Sequence, residues 1–88
     1  MRIDLGIMIG QHPHGWASKI IELDFAPTIG MSYNDGTWKG VEGRKIINVS
    51  IECPPDETPY LVVSLTPDNS ATVEDLKATY EAWGWKVS

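Results

Sequence analysis

Apolar and polar residues alternate with period two through most of the chain and shift to a helical period in its last quarter. Ile3, Leu5, Ile7 and Ile9 alternate with Arg2, Asp4, Gly6 and Met8, which predicts a half-buried strand. Gly10-Gln11-His12-Pro13-His14-Gly15 interrupts it, with a glycine at each end and a proline inside. From Ile21 to Tyr33 the odd positions are Ile21, Leu23, Phe25, Pro27, Ile29, Met31 and Tyr33. The even positions, Glu22 to Ser32, are polar or small. This register predicts one long strand, bent near Ala26-Pro27 because proline cannot donate to a ladder.

Asn34-Asp35-Gly36 follows as the strongest hairpin signal, since Asn and Asp tolerate turn geometry and glycine takes positive φ. A return strand is expected from Thr37-Trp38-Lys39, loosened into a loop or bulge by Gly40-Val41-Glu42-Gly43. Lys45 to Cys53 again has period two. Ile47, Val49, Ile51 and Cys53 share one face, and Asn48, Ser50 and Glu52 share the other with Ile46 beside them. Beyond the rigid, acidic connection Pro54 to Pro59, Leu61, Val63 and Leu65 mark a further strand, expected to pair antiparallel with the preceding one.

Val73, Leu76, Tyr80 and Trp83 then form the apolar stripe of an amphipathic helix. Thr72 is placed to cap it, with Asp75 three residues on, and Gly84 to end it. Trp85-Lys86-Val87 either returns as a short strand or docks by its tryptophan. The predicted class is α+β, mostly β: an antiparallel sheet or open barrel of about five strands with one C-terminal helix packed on it.

The length of 88 residues bounds the chain, residues 1–88, to a single small domain. A hydrophobic content of 42% supplies a core and excludes collagen, coiled coil, disordered tail and disulfide scaffold. The 12 acidic and 7 basic residues give a net charge of −5, which argues against general electrostatic binding of nucleic acid. Cys53 is the sole cysteine, so no internal disulfide forms; at the end of an apolar strand face it is expected to be a buried, inert thiol. The segment Met1 to Gly10 carries Arg2 and Asp4 and lacks the continuous apolar run of a signal peptide. No stretch approaches the ~20 apolar residues of a membrane span. A cytoplasmic protein without a membrane partner is therefore expected, and the sequon Asn48-Val49-Ser50 reads as chance.

Candidate chemistry is sparse. His12-Pro13-His14 places two imidazoles on one side of an extended segment, where they can reach one metal such as zinc, although a zinc site needs three or four ligands. No nucleophilic triad motif is present: Gly30-Met31-Ser32-Tyr33-Asn34 is not the G-x-S-x-G elbow. Glu22 and Asp24 read as the solvated side of a strand rather than an acid–base pair, and Glu52, Asp56 and Glu57 as a solvated acidic tip. Gly40-Val41-Glu42-Gly43-Arg44-Lys45 has neither the spacing nor the helix of a phosphate loop. Trp38, Lys39, Arg44 and Lys45 form an aromatic and basic cluster that suits a protein hot spot or a stacked base with its phosphate. A core this small hides only part of four tryptophans. Trp83 is expected inside, and Trp16, Trp38 and Trp85 partly exposed.

The leading expectation is a small intracellular interaction, regulatory or inhibitory module without catalysis, of the kind encoded by phages and other mobile elements. It would bind a protein through Trp16, Trp38, Lys39, Arg44, Lys45 and Trp85. The alternatives are a metal-dependent, hydrolytic site at His12 and His14, and nucleic-acid binding through the Trp/Lys/Arg cluster. Apart from that divalent metal no cofactor is expected, and the sequence does not set the oligomeric state.

Overall fold

The computed structural model describes residues 1–39 and 42–88. β1 (Arg2–Ile9) and β2 (Gly15–Glu22) form an antiparallel hairpin in which Ile3 lies opposite Ile21 and Ile9 opposite Gly15. β3 (Ser32–Tyr33) pairs antiparallel with the start of β4 (Arg44–Glu52), which runs antiparallel to β5 (Tyr60–Leu65) as expected. β5 then lies parallel to β1, with Ile3 opposite Leu61 and Leu5 opposite Val63. After α1 (Val73–Ala82), β6 (Lys86–Val87) adds to the far side of β2. The strand order is β3-β4-β5-β1-β2-β6, a mixed sheet curled into a half-barrel. The fold is therefore α+β and mostly β, with six strands rather than five and one parallel pairing in place of a wholly antiparallel sheet.

Period-two patterning places the core on one face. Ile3, Leu5, Ile7 and Ile9 of β1 and Leu61, Val63 and Leu65 of β5 are all buried. Each such aliphatic side chain contributes about 1.5–3 kcal/mol on leaving water. β4 reaches the same core through a bulge. Its register shifts between Ile46 and Asn48, so Ile46, opposite Leu65, and Val49, opposite Val63, both face inward despite their odd sequence spacing. The expected grouping of Ile47 with Val49 is corrected accordingly, for Ile47 is exposed. Cys53 lies beyond the end of β4 and is exposed rather than buried.

Two further expectations fail for local reasons. The run from Ile21 to Tyr33 is not one strand: β2 stops at Glu22, and a loop intervenes before β3. Pro27 has no N–H to offer a ladder, and Gly30 (φ +95°) turns the chain so that Gly30 N donates to Ile46 O and Ile46 N to Met31 O. Nor do Thr37-Trp38-Lys39 form a return strand. Asn34 Oδ1 accepts from Gly36 N and Asp35 Oδ1 from Thr37 N, each at 3.0 Å, and these side-chain bonds hold the backbone in successive turns. Gly40 and Val41 of the expected loop lie outside the described residues.

The helix begins as expected, with the Thr72 hydroxyl accepting from Asp75 N. It ends in a Schellman motif. Trp85 N donates to Tyr80 O, Gly84 N donates to Glu81 O, and Gly84 takes φ +89°. This closure brings the rings of Tyr80 and Trp85 to 5.6 Å and buries both, whereas Trp83 remains 43% exposed with one edge against Gly36. Among the described residues no helix is long and apolar enough to cross a membrane.

Candidate functional site

Two carboxylates, the buried Asp68 and the half-buried Asp35, organise the region where the helix meets the sheet. Asp68, in the β5–α1 connection, accepts from the Tyr80 hydroxyl at 2.6 Å and the Ser70 hydroxyl at 2.7 Å, and Arg44 Nη2 lies 3.2 Å away. Asp35 accepts from Lys19 Nζ at 2.6 Å, from Tyr33 at 3.0 Å and from the Thr37 hydroxyl. Burial alone would raise both carboxyl pKa values. The hydrogen bonds, with Lys19 on Asp35 and the Arg44 charge beside Asp68, outweigh it and hold both groups below the ordinary value. Burial and the adjacent carboxylates raise the phenols of Tyr33 and Tyr80.

Tyr33, Trp38, Tyr80 and Trp85 join these two networks through edge-to-face contacts at centroid separations of 5.6–6.3 Å. Trp38 Nε1 donates to the Tyr80 hydroxyl at 2.8 Å and Trp85 Nε1 to the Thr37 hydroxyl at 3.0 Å. Both indoles are consequently core: Trp38 is 7% and Trp85 3% exposed, which corrects the expectation that they are partly open. Arg44 is likewise occupied, by Asp68 and by Pro67 O at 3.2 Å. Only Lys39 and Lys45 of the basic cluster are exposed.

A groove of about 710 Å³ between α1 and the Thr37–Lys39 turn brings Trp38, Lys39 and Arg44 together with Asp68, Leu76 and Trp83. Lys45, Trp16 and Trp85 do not line it. The six predicted binding residues are thus divided between this groove, the core and a separate surface.

That surface is the outer face of the sheet. Trp16 lies opposite Met8 in the β1–β2 ladder, and Ile20 follows four residues along on the same face. These three side chains are 44%, 41% and 63% exposed. The benzo edge of the Trp16 indole packs against Gly6: a Cβ at that position would sit 2.3 Å from Trp16 Cζ2. The charged groups on this face are the exposed Lys86, opposite Ser18, and, at the far end of the hairpin, the Arg2–Asp4 pair, joined by bonds of 2.7 and 2.9 Å, and the exposed Glu22. Sequence reading found Trp16 but not Met8 or Ile20; the isolated glycine at the middle of β1 was the available sign of a close approach.

The two histidines line a second cavity, about 490 Å³, with Thr72 and Glu74 at the start of α1. Their rings meet edge to face at 6.0 Å, and His14 Nδ1 donates to Gly10 O at 2.6 Å. Among the described residues no group of three His, Cys, Asp or Glu side chains is placed to share an ion. Glu22 and Asp24 are both exposed, and Asp24 falls outside β2. Comparisons of the chain with protein-family models, with curated proteins and with solved structures find no match.

Proposed function

We propose that this protein is a non-catalytic binding module that takes up a protein partner on the outer face of its sheet, centred on Trp16. The observation that carries this reading is the close packing of the Trp16 indole edge against Gly6, with Met8 and Ile20 exposed on the same face. An aromatic group already fixed in place gives up little conformational entropy on binding, and Trp is enriched at interface hot spots. A protein partner suits this face better than nucleic acid. On the same face Arg2 is neutralised by Asp4 and Lys86 is matched in number by Glu22, and Arg44 of the basic cluster is tied to Asp68. A regulatory or inhibitory role, of the accessory kind found on mobile elements, fits a module of this size.

The test is capture of partners by tagged protein from nuclease-treated lysate, then titration of the purified partner by calorimetry. Ile20→Glu and Trp16→Ser are expected to weaken binding at least tenfold, while Lys45→Glu leaves it unchanged. Binding indifferent to both outer-face variants would remove this reading.

A second reading, a divalent ion such as zinc held by His12 and His14, has one observation in its favour. His14 Nδ1 donates to a backbone carbonyl, which leaves Nε2 as the free ligand atom, the usual arrangement of a metal-bound imidazole. A zinc-dependent rise in Tm, abolished in the His12→Ala/His14→Ala double variant, would support it; no shift would end it.

A further inference from the structure

The two edges of the sheet are guarded unequally. On the β2 side, β6 covers Ala17 and Ser18, and Lys19 stands beyond them, reaching Asp35 and Trp83 O. On the β4 side, β3 and the Gly30–Met31 segment cover only Arg44 to Ile46. Among the described residues nothing pairs with the side of β4 away from β5 between Asn48 and Glu52. That stretch contains no lysine and no proline, the usual devices that keep an edge from recruiting another strand.

The ladder defines what this edge offers. Thr66 N donates to Lys45 O, so Ser64, Val62 and Tyr60 direct their backbone groups toward β4, and their partners Asn48, Ser50 and Glu52 direct theirs back. Val49 and Ile51 therefore present unpaired N–H and C=O groups outward. Their side chains lie on the core face, opposite Val63 and Leu61, yet Ile51 is 68% exposed. The bulge at Ile46/Asn48 limits the free stretch at one end. At the other the chain turns away after Pro54, with Glu57 N donating to Pro54 O.

We propose that β4 pairs antiparallel with β4 of a second copy of this chain about a two-fold axis at Ser50, forming a dimer with a continuous sheet. In this register Val49 lies opposite Ile51 of the other copy, so each outward backbone group meets an outward group. The two Val49–Ile51 pairs extend the core face across the junction. On the outer face Asn48 lies opposite Glu52, an amide against a carboxylate. A shift that centred the axis on Glu52 would instead set two carboxylates against each other, which is unfavourable. Backbone polarity, apolar pairing and charge are all satisfied in the Ser50-centred register. The dimer does not depend on the outer-face reading, because Trp16, Met8 and Ile20 lie on β1 and β2.

The experiment is sedimentation velocity on the whole chain across micromolar to millimolar concentration. The wild type is expected to sediment as a dimer at the upper end and to dissociate on dilution. Ile51→Pro removes an outward N–H without breaking a hydrogen bond to β5, and Ile51→Lys places charge in the junction. Each should raise the dissociation constant at least tenfold with unchanged far-UV circular dichroism. A charge exchange tests the register. Asn48→Glu alone should weaken the dimer by opposing Glu52, and Asn48→Glu/Glu52→Lys should restore it. Within one strand positions 48 and 52 are about 13 Å apart, too far for rescue inside a single copy. A monomer at millimolar concentration, or a dimer indifferent to these variants, would overturn the proposal.

Discussion

Tyr80 of the helix donates its hydroxyl hydrogen to Asp68 of the preceding loop at 2.6 Å, and both groups are almost wholly buried. The same hydroxyl accepts from Trp38 Nε1, so one oxygen satisfies an indole and a carboxylate that have little access to water. Tyr80→Phe keeps the ring in place but leaves both partners short of a bond. A loss of about 2–3 kcal/mol is expected by urea unfolding, since an unsatisfied buried charge costs more than the bond itself contributes. A loss below half a kcal/mol would mean that water replaces the phenol.

Stability should fall at both ends of the pH scale. Asp35 and Asp68 have folded pKa values below their ordinary value of 3.8, so the unfolded chain takes up protons first as the solution is acidified. Their contribution is complete at neutral pH and drains away as pH falls below about 4. Tyr33 and Tyr80 have folded pKa values raised above 10.0, so above that pH the unfolded phenols ionise while the folded ones resist. Urea midpoints measured from pH 2 to pH 11 should form a plateau with two falling limbs. Tyr80→Phe should shrink the alkaline limb.

Gly6 is the seat of the Trp16 indole, and a methyl group there cannot share the space. In Gly6→Ala the ring must lift off the strand, at a cost of about 1 kcal/mol or less because it moves into solvent. With 5-fluorotryptophan incorporated, the ¹⁹F resonance of Trp16 should move toward that of the free amino acid while those of Trp38 and Trp85 stay fixed. An unmoved Trp16 signal would show that the strand yields instead.

Gly84 ends the helix at φ +89°, with only the tip of Lys19 near a substituted Cβ. Gly84→Ala therefore adds backbone strain without a clash, and about 1 kcal/mol of destabilisation is expected in thermal melts. A D-alanine introduced by chemical synthesis favours this φ and should retain the stability of glycine.

The local part of the fold was legible in the sequence. The alternation of Ile3 to Ile9, the Thr72 cap and the Gly84 stop each act within a few residues, and all three stand in the structure. What escaped was decided at a distance. The parity of β4 depends on a bulge opposite β5, which no count along β4 reveals. Among the described residues the alternation from Ile21 to Tyr33 has no strand partner between Glu22 and Ser32. Trp38 and Trp85 were expected at the surface because no apolar stripe claimed them. They are buried because Tyr80 and Thr37 accept their N–H groups, a pairing between residues more than forty positions apart. Asp35 is legible in the sequence only as a turn residue and Asp68 not at all, since only the folded chain brings Lys19, Arg44 and the phenols to them.

The parallel contact of β1 with β5 also governs when this domain can form. Ile3, Leu5, Ile7 and Ile9 are made before Leu61 and Val63, which flank β1 on one side, and before Tyr80 of the covering helix. The β1–β2 hairpin must wait with its oily side uncovered until β5 and α1 arrive. Closure then requires β1 and β5 to meet across the segments between them, a long loop to shut before any reward, which slows folding toward roughly the millisecond-to-second regime. For a newly made chain, that interval is when it most needs a chaperone.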